Sequence, residues 1–210
     1  MIKHTPANLY NYYYVERKHE QQDLFQLLSK RYPITTVLYP GSFVHVTPSF
    51  VFSEVDYVDS DQQAKAFFHD PLHYEFVSRH KTYASQPKIT FHAADYRQDW
   101  NKQHKRFDLL ISQFAGFVWQ HCKPYLRVGG LLLVNDSHGD ASIASLDHDC
   151  ELVAVITHAD GKWRLSETNL ESYFVPKSSK QVITTEYITR IQRGAAYKQT
   201  ADNYIFKRIE

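Results

Sequence analysis

Glycine is scarce in this 210-residue chain: seven residues, at Gly41, Gly116, Gly129, Gly130, Gly139, Gly161 and Gly194. Their spacing excludes an intact G-x-G-x-x-G dinucleotide fingerprint, a Walker A phosphate loop and a G-x-S-x-G nucleophile elbow, each of which needs glycines at fixed short intervals. Any nucleotide site here is therefore built on an atypical loop. Cysteine is scarcer still. Cys122 and Cys150 form no C-x-x-C, which argues against a disulfide scaffold and points to a reduced, cytoplasmic setting. Charge of one sign is also lacking, with Lys+Arg 24 against Asp+Glu 23 and a formal net charge of +1. Such a balance gives no strong nucleic-acid signal, because phosphate binding draws on clustered cations. The short cluster Lys102, His104, Lys105 and Arg106 reads as a solvated turn. No apolar run approaches the roughly 18 residues of a membrane span, and the first fourteen residues hold no signal-peptide core, so no membrane partner is expected.

What the chain does have is a 43% hydrophobic composition, enough for a packed core. Its periodicity changes along the sequence. Leu24, Phe25, Leu27 and Leu28 recur at helical spacing within a helix predicted from Val15 to Arg31, ended by Pro33. Short β-rich runs follow at Ile34–Tyr39, Val55–Val58, Lys88–His92, Phe107–Ser112 and Leu131–Asn135, separated by helical stretches around Ala64–Phe68, Leu72–Tyr83, Phe117–Tyr125 and Ala141–Leu146. Gly129-Gly130 is expected to be a turn before the fifth strand. Beyond it, Leu152–Thr157 and Lys162–Leu165 flank Ala159-Asp160-Gly161 as an antiparallel hairpin. A helix at Val182–Gln192, stopped by Gly194, and a strand at Tyr204–Ile209 close the chain. Strands alternating with helices imply crossover connections and a parallel sheet covered on both faces. We expect a helical extension over residues 1–33 and an α/β domain over residues 34–210.

In an open parallel sheet, ligands bind beyond the carboxyl ends of the strands. That rule selects Tyr39-Pro40-Gly41-Ser42, Asp59-Ser60-Asp61, Asp95-Tyr96, Ser112-Gln113-Phe114 and Asn135-Asp136-Ser137-His138. Ser60 or Asp61 also suits the cap of the following helix. His138 lies between Asp136 and Asp140, where a base could reach a substrate hydroxyl, although a surface loop histidine is the stronger reading of the sequence. His69 and His73 are four apart, but Pro71 interrupts the helix that would align them, so no metal site is expected.

The order of these pieces resembles the class I S-adenosylmethionine-dependent methyltransferases from about Ile34 onward. The resemblance rests on Val37-Leu38-Tyr39-Pro40-Gly41-Ser42, on Val55-Asp56-Tyr57-Val58-Asp59, on Phe91-His92-Ala93-Ala94-Asp95, on Phe107-Asp108-Leu109-Leu110-Ile111-Ser112, and on Leu126 to Asn135 with its Gly-Gly pair. It implies a Rossmann-like, mostly parallel seven-stranded sheet with helices on both faces and an antiparallel C-terminal strand. It also implies S-adenosylmethionine as cofactor and an unidentified small molecule as methyl acceptor. On that reading Tyr39, Gly41 and Ser42 form the cofactor turn. Asp59 and Ser60 meet the ribose, Asp95 and Tyr96 meet the adenine, and Ser112 faces the sulfonium. Asp136, His138 and Gln113 position the acceptor. The chain departs from the family in its degenerate glycine motif, a single glycine after Tyr39-Pro40 where the family carries an acidic residue and several glycines. A non-catalytic methyltransferase-like binding or scaffold domain and a dinucleotide-dependent oxidoreductase are the competing readings, and a homo-oligomer is left open.

Overall fold

Local sequence rules account for most element boundaries in the computed structural model, which describes residues 5–100 and 106–210. Lys102, His104 and Lys105 of the basic cluster lie outside the described residues. The chain divides into two units, Met1–Trp100 and Asn101–Glu210.

The first unit opens with α1 (Pro6–Tyr10), whose cap Thr5 accepts from the Asn8 N–H, and continues into a π-helical turn, Asn11–Val15. The helix predicted from Val15 starts later than expected. Lys18 and Gln21 adopt left-handed backbone (φ 58° and 59°), which a right-handed helix does not admit, so α2 spans Gln22–Arg31. Its Leu24, Phe25 and Leu28 are fully buried, each side chain contributing about 2 kcal/mol of apolar transfer. Lys30 and Arg31 lie in its last turn, where the helix dipole favours cations. There follow β1 (Thr36–Pro40), α3 (Pro48–Val51), β2 (Glu54–Val58), α4 (Gln62–His69), α5 (Leu72–His80) and β3 (Lys88–His92). The three strands are parallel in the order β3-β2-β1, with Val37 opposite Val55 and Val55 opposite Ile89. Four successive residues are buried in each of β1 and β2, as in strands covered on both faces.

The second unit contains β4 (Phe107–Ser112), α6 (Val118–Cys122), β5 (Leu126–Val134), α7 (Asp140–Ser145), β6 (Cys150–Ala159), β7 (Lys162–Ser166), α8 (Thr185–Ile191) and β8 (Asn203–Arg208). Its order is β4-β5-β8-β6-β7, with β4 and β5 parallel and the later pairs antiparallel. Among the described residues there are eight strands rather than seven. Asp160 and Gly161, both left-handed at φ 52° and 71°, make a turn tight enough for β7 to pair back on β6. Gly129-Gly130 is not a turn ahead of β5 but a break in register inside it, between the pairs Phe107–Leu126 and Leu109–Leu131. The helix expected over Phe117–Tyr125 stops at Cys122 and tightens into a 3-10 turn at Lys123–Tyr125, where Pro124 offers no N–H. α8 ends at left-handed Gln192 rather than at Gly194. No helix among the described residues is long and apolar enough to cross a membrane.

Candidate functional site

In the first unit the strand ends are tied together by backbone donors. The Gly41 N–H reaches the Val58 carbonyl at 2.8 Å, and Gly41 has φ 62°, a conformation that a side chain would strain. Asp59, just past β2, accepts the Phe43 N–H on one oxygen (2.7 Å) and the Asp61 N–H on the other (2.8 Å). Its carboxylate therefore bridges the turn after β1 to the loop before α4. Ser60 is exposed, and Asp61 caps α4 by accepting from the N–H groups of Gln63 and Ala64. The third loop joins the same cluster through the Asp59 N–H on the His92 carbonyl and the Ala94 N–H on the Asp59 carbonyl. There Asp95 is forked by Arg97, whose Nη2 donates at 2.7 Å and Nε at 2.9 Å, and Tyr96 follows half-buried.

Tyr39 does not face the turn: its ring is buried and its hydroxyl lies 3.1 Å from His45 Nδ1. His45 Nε2 lies 3.0 Å from the Glu20 carbonyl, an acceptor only, so Nε2 carries the proton and Nδ1 accepts from Tyr39. Burial pushes the His45 imidazole down to about 4, so it is neutral at pH 7. Ser42, in the turn itself, is also buried.

In the second unit the strand ends are closed by side chains. Asp140, at the start of α7, accepts the Ser112 hydroxyl at 2.6 Å and the Trp119 N–H at 3.0 Å. Burial raises its carboxyl to about 7, against the lowering effect of those donors. Asp136 accepts the N–H and hydroxyl of Ser142, both at 2.8 Å, and burial raises it to about 6. Tyr197 adds a hydrogen bond to Ser142 Oγ at 3.0 Å. The Asp136 carboxylate is bonded to Ser142, and His138 stands exposed in the turn. Gln113 Nε2 donates to Asn203 Oδ1 at 2.9 Å, while its Oε1 is buried with no partner among the described residues. Beside it Phe114 is 64% exposed in left-handed backbone, φ 62°, a conformation costing about 1 kcal/mol for a side-chain-bearing residue. Ser142, Tyr197 and Asn203 carry no local sequence signal, since their partners lie 6, 55 and 90 residues away.

Among the described residues no group of three or more His, Cys, Asp or Glu is placed to hold a metal ion. His69 and His73 instead turn Nδ1 to the carbonyls of Lys65 and Asp70.

No family model and no curated protein matches the chain. Solved structures do. A protein designated an O-methyltransferase from Klebsiella pneumoniae matches with TM-score 0.51 and 12% identity, over 69% of this chain and 76% of that one. The chain has the Rossmann-like methyltransferase fold. An O-methyltransferase from Bacillus cereus, solved with SAH, matches with TM-score 0.49 and 11% identity over 69% and 77% of the two chains. At these identities the likeness is one of fold.

The donor set bears on whether an adenosyl cofactor fits that fold. A carboxylate offers about four lone-pair sites, so Asp59 retains acceptor capacity for a ribose diol after its two backbone bonds. Asp95 is different, because the backbone N–H and guanidinium of Arg97 make four hydrogen bonds to its two oxygens.

Proposed function

We propose that the chain is an S-adenosylmethionine-dependent methyltransferase acting on a small molecule in the cytoplasm. The reading is carried by the Rossmann-like methyltransferase fold with a carboxylate, Asp59, that closes β2 and holds the glycine-bearing turn after β1. When bound, the cofactor supplies an electrophilic methyl group on a sulfonium. Asp59, with Ser60 beside it, accepts from the ribose hydroxyls, and Gly41 and Ser42 give the close backbone approach. Asp95 and Tyr96 border the adenine, Asp95 after releasing Arg97. Tyr39 supports the turn from beneath through His45.

On the acceptor side Ser112, Gln113, Asp136 and His138 contribute position rather than chemistry. The unpartnered Gln113 Oε1 takes an O–H or N–H donor, and Phe114 screens the reacting atoms from water. Orientation of this kind supplies the larger part of the acceleration in an in-line transfer.

Calorimetric titration of the folded chain with S-adenosylmethionine and S-adenosylhomocysteine tests the reading. Saturable binding of both is expected, weakened about tenfold or more in Asp59→Ala, since hydrogen bonds to a charged acceptor are the strong ones. Absence of binding by folded protein overturns it. The second reading, a non-catalytic binding module, is favoured by one observation: the rings of Tyr13 and Tyr14 pack on Phe43 and His45, over the turn that would receive the cofactor.

A further inference from the structure

The segment between α1 and α2 has two distinct faces. Its π-helical turn puts Tyr10 and Tyr14 side by side on the inner face, ring centroids 5.4 Å apart, and leaves Tyr12 half exposed on the outer one. Tyr10 is the anchor: it is buried, and its hydroxyl bonds Thr47 Oγ1 at 2.6 Å and Glu20 Oε1 at 2.9 Å. Tyr14 is held more lightly. It stacks on the His45 ring at 4.4 Å and 22°, and its hydroxyl reaches the Ser42 carbonyl at 3.5 Å, the limit of a hydrogen bond. Tyr13 meets Phe43 edge-on at 4.9 Å.

Beyond these rings, residues 15–19 are all exposed and add no buried contact. Lys18 and Gln21, both left-handed, bound the descent into α2, and Glu20 between them is pinned by His45 Nε2 on its carbonyl and by the Tyr10 hydroxyl on its Oε1. Directly beneath lies the turn that Asp59 holds through the Phe43 N–H.

We infer that residues 11–19 form a strap closed over the turn after β1, and that the Tyr14–His45 stack is the latch which opens before an adenosyl cofactor reaches Asp59. The inference rests on the methyltransferase reading above and deepens it, by giving that site a gate. Anchored at its two ends by Tyr10 and Glu20 and hinged at Lys18, the strap lifts without unfolding α1 or α2. A closed state favoured about tenfold, the size of one aromatic pair, lowers apparent cofactor affinity by the same factor.

The test uses the full chain and S-adenosylhomocysteine as probe, with two readouts: affinity by calorimetry and hydrogen exchange of the Phe43 and His45 amides. Tyr14→Ala is expected to bind about tenfold more tightly and to exchange those amides faster, while Tyr12→Ala, on the outer face, leaves both within about twofold of the parent. Tyr14→Leu, which keeps apolar bulk but loses the stack, moves the same way and serves where the alanine variant folds poorly. Binding by the parent with equal or weaker binding by the folded Tyr14 variants overturns the strap and leaves the methyltransferase reading standing. Absence of binding by parent and variants alike overturns the methyltransferase reading itself.

Discussion

Asp59 in the first unit and Asp140 in the second both lie near the carboxyl ends of parallel strands, yet their surroundings differ. Asp59 is partly exposed and is held by two backbone N–H groups. Asp140 is 1% exposed and is filled by a serine hydroxyl and one backbone N–H. In the second unit, burial outweighs the donors, and the carboxyls of Asp136 and Asp140 are raised into the neutral range. In the first unit one deeply buried titratable group, His45, is a base, and burial acts on it in the opposite direction. Burial, acting on an acid in one unit and on a base in the other, therefore gives Asp140 and His45 opposite responses to pH.

The largest expected effect breaks that comparison on the Asp140 side. Its folded value near 7 lies above the 3.8 of the unfolded chain. The stabilisation linked to its proton is thus complete below about pH 4 and lost as pH rises through 7. The difference in unfolding free energy between the parent and Asp140→Asn shifts against the parent by on the order of 4 kcal/mol between pH 4 and 8, read by denaturant titration at each pH.

His45 gives the mirror image. Its folded value near 4 lies below the ordinary 6.5, so its contribution is present above pH 6.5 and lost as pH falls through 4. Against His45→Gln, the parent is expected to lose about 3 kcal/mol over that window. If both differences slope the same way with pH, the contrast between the units fails.

A steric prediction sharpens the second unit further. A Cβ on Gly194 would meet Asp136 Oδ2 at 2.1 Å and the Asp136 carbonyl at 2.8 Å. Gly194→Ala should lower stability by about 3 kcal/mol, as overpacking against a fixed network does. Gly161→Ala, where no described residue beyond its chain neighbours lies within 4 Å of the added Cβ but φ is 71°, should cost only about 1 kcal/mol, and thermal denaturation distinguishes them. The smallest effect belongs to the first unit: Asp61→Ala removes the α4 cap for about 1 kcal/mol, whereas Ser60→Ala, exposed and outside the cap, changes stability by less than about 0.5 kcal/mol.

The legible parts of the fold are those governed by neighbours in sequence. β3 and β4 have the predicted ends, because each is a run of strand-forming residues bounded by turn signals. The Asp61 cap needs only the next two N–H groups. The helix predicted from Val15 misjudged its start because helical periodicity is blind to the left-handed backbone of Lys18 and Gln21. Gly194 was read as a helix stop, since the contact that requires a glycine there comes from Asp136, 58 residues earlier in the sequence.

The site divides in the same way. Asp59 and Gly41 were selected by position after a strand, and the structure joins their two loops through the Phe43 N–H. The pairing of Tyr39 with His45 and the roles of Ser142, Tyr197 and Asn203 depend on contacts that no local pattern encodes. Alternating apolar runs and turn residues alone determined the α/β class, the strand sequence and the loops in which acidic groups stand, because these follow from backbone geometry and burial of local side chains. Tertiary structure alone decided which carboxyls are desolvated, which oxygens remain available and which turn lies beneath the tyrosines, because hydrogen-bond satisfaction and burial are fixed by residues far apart along the chain.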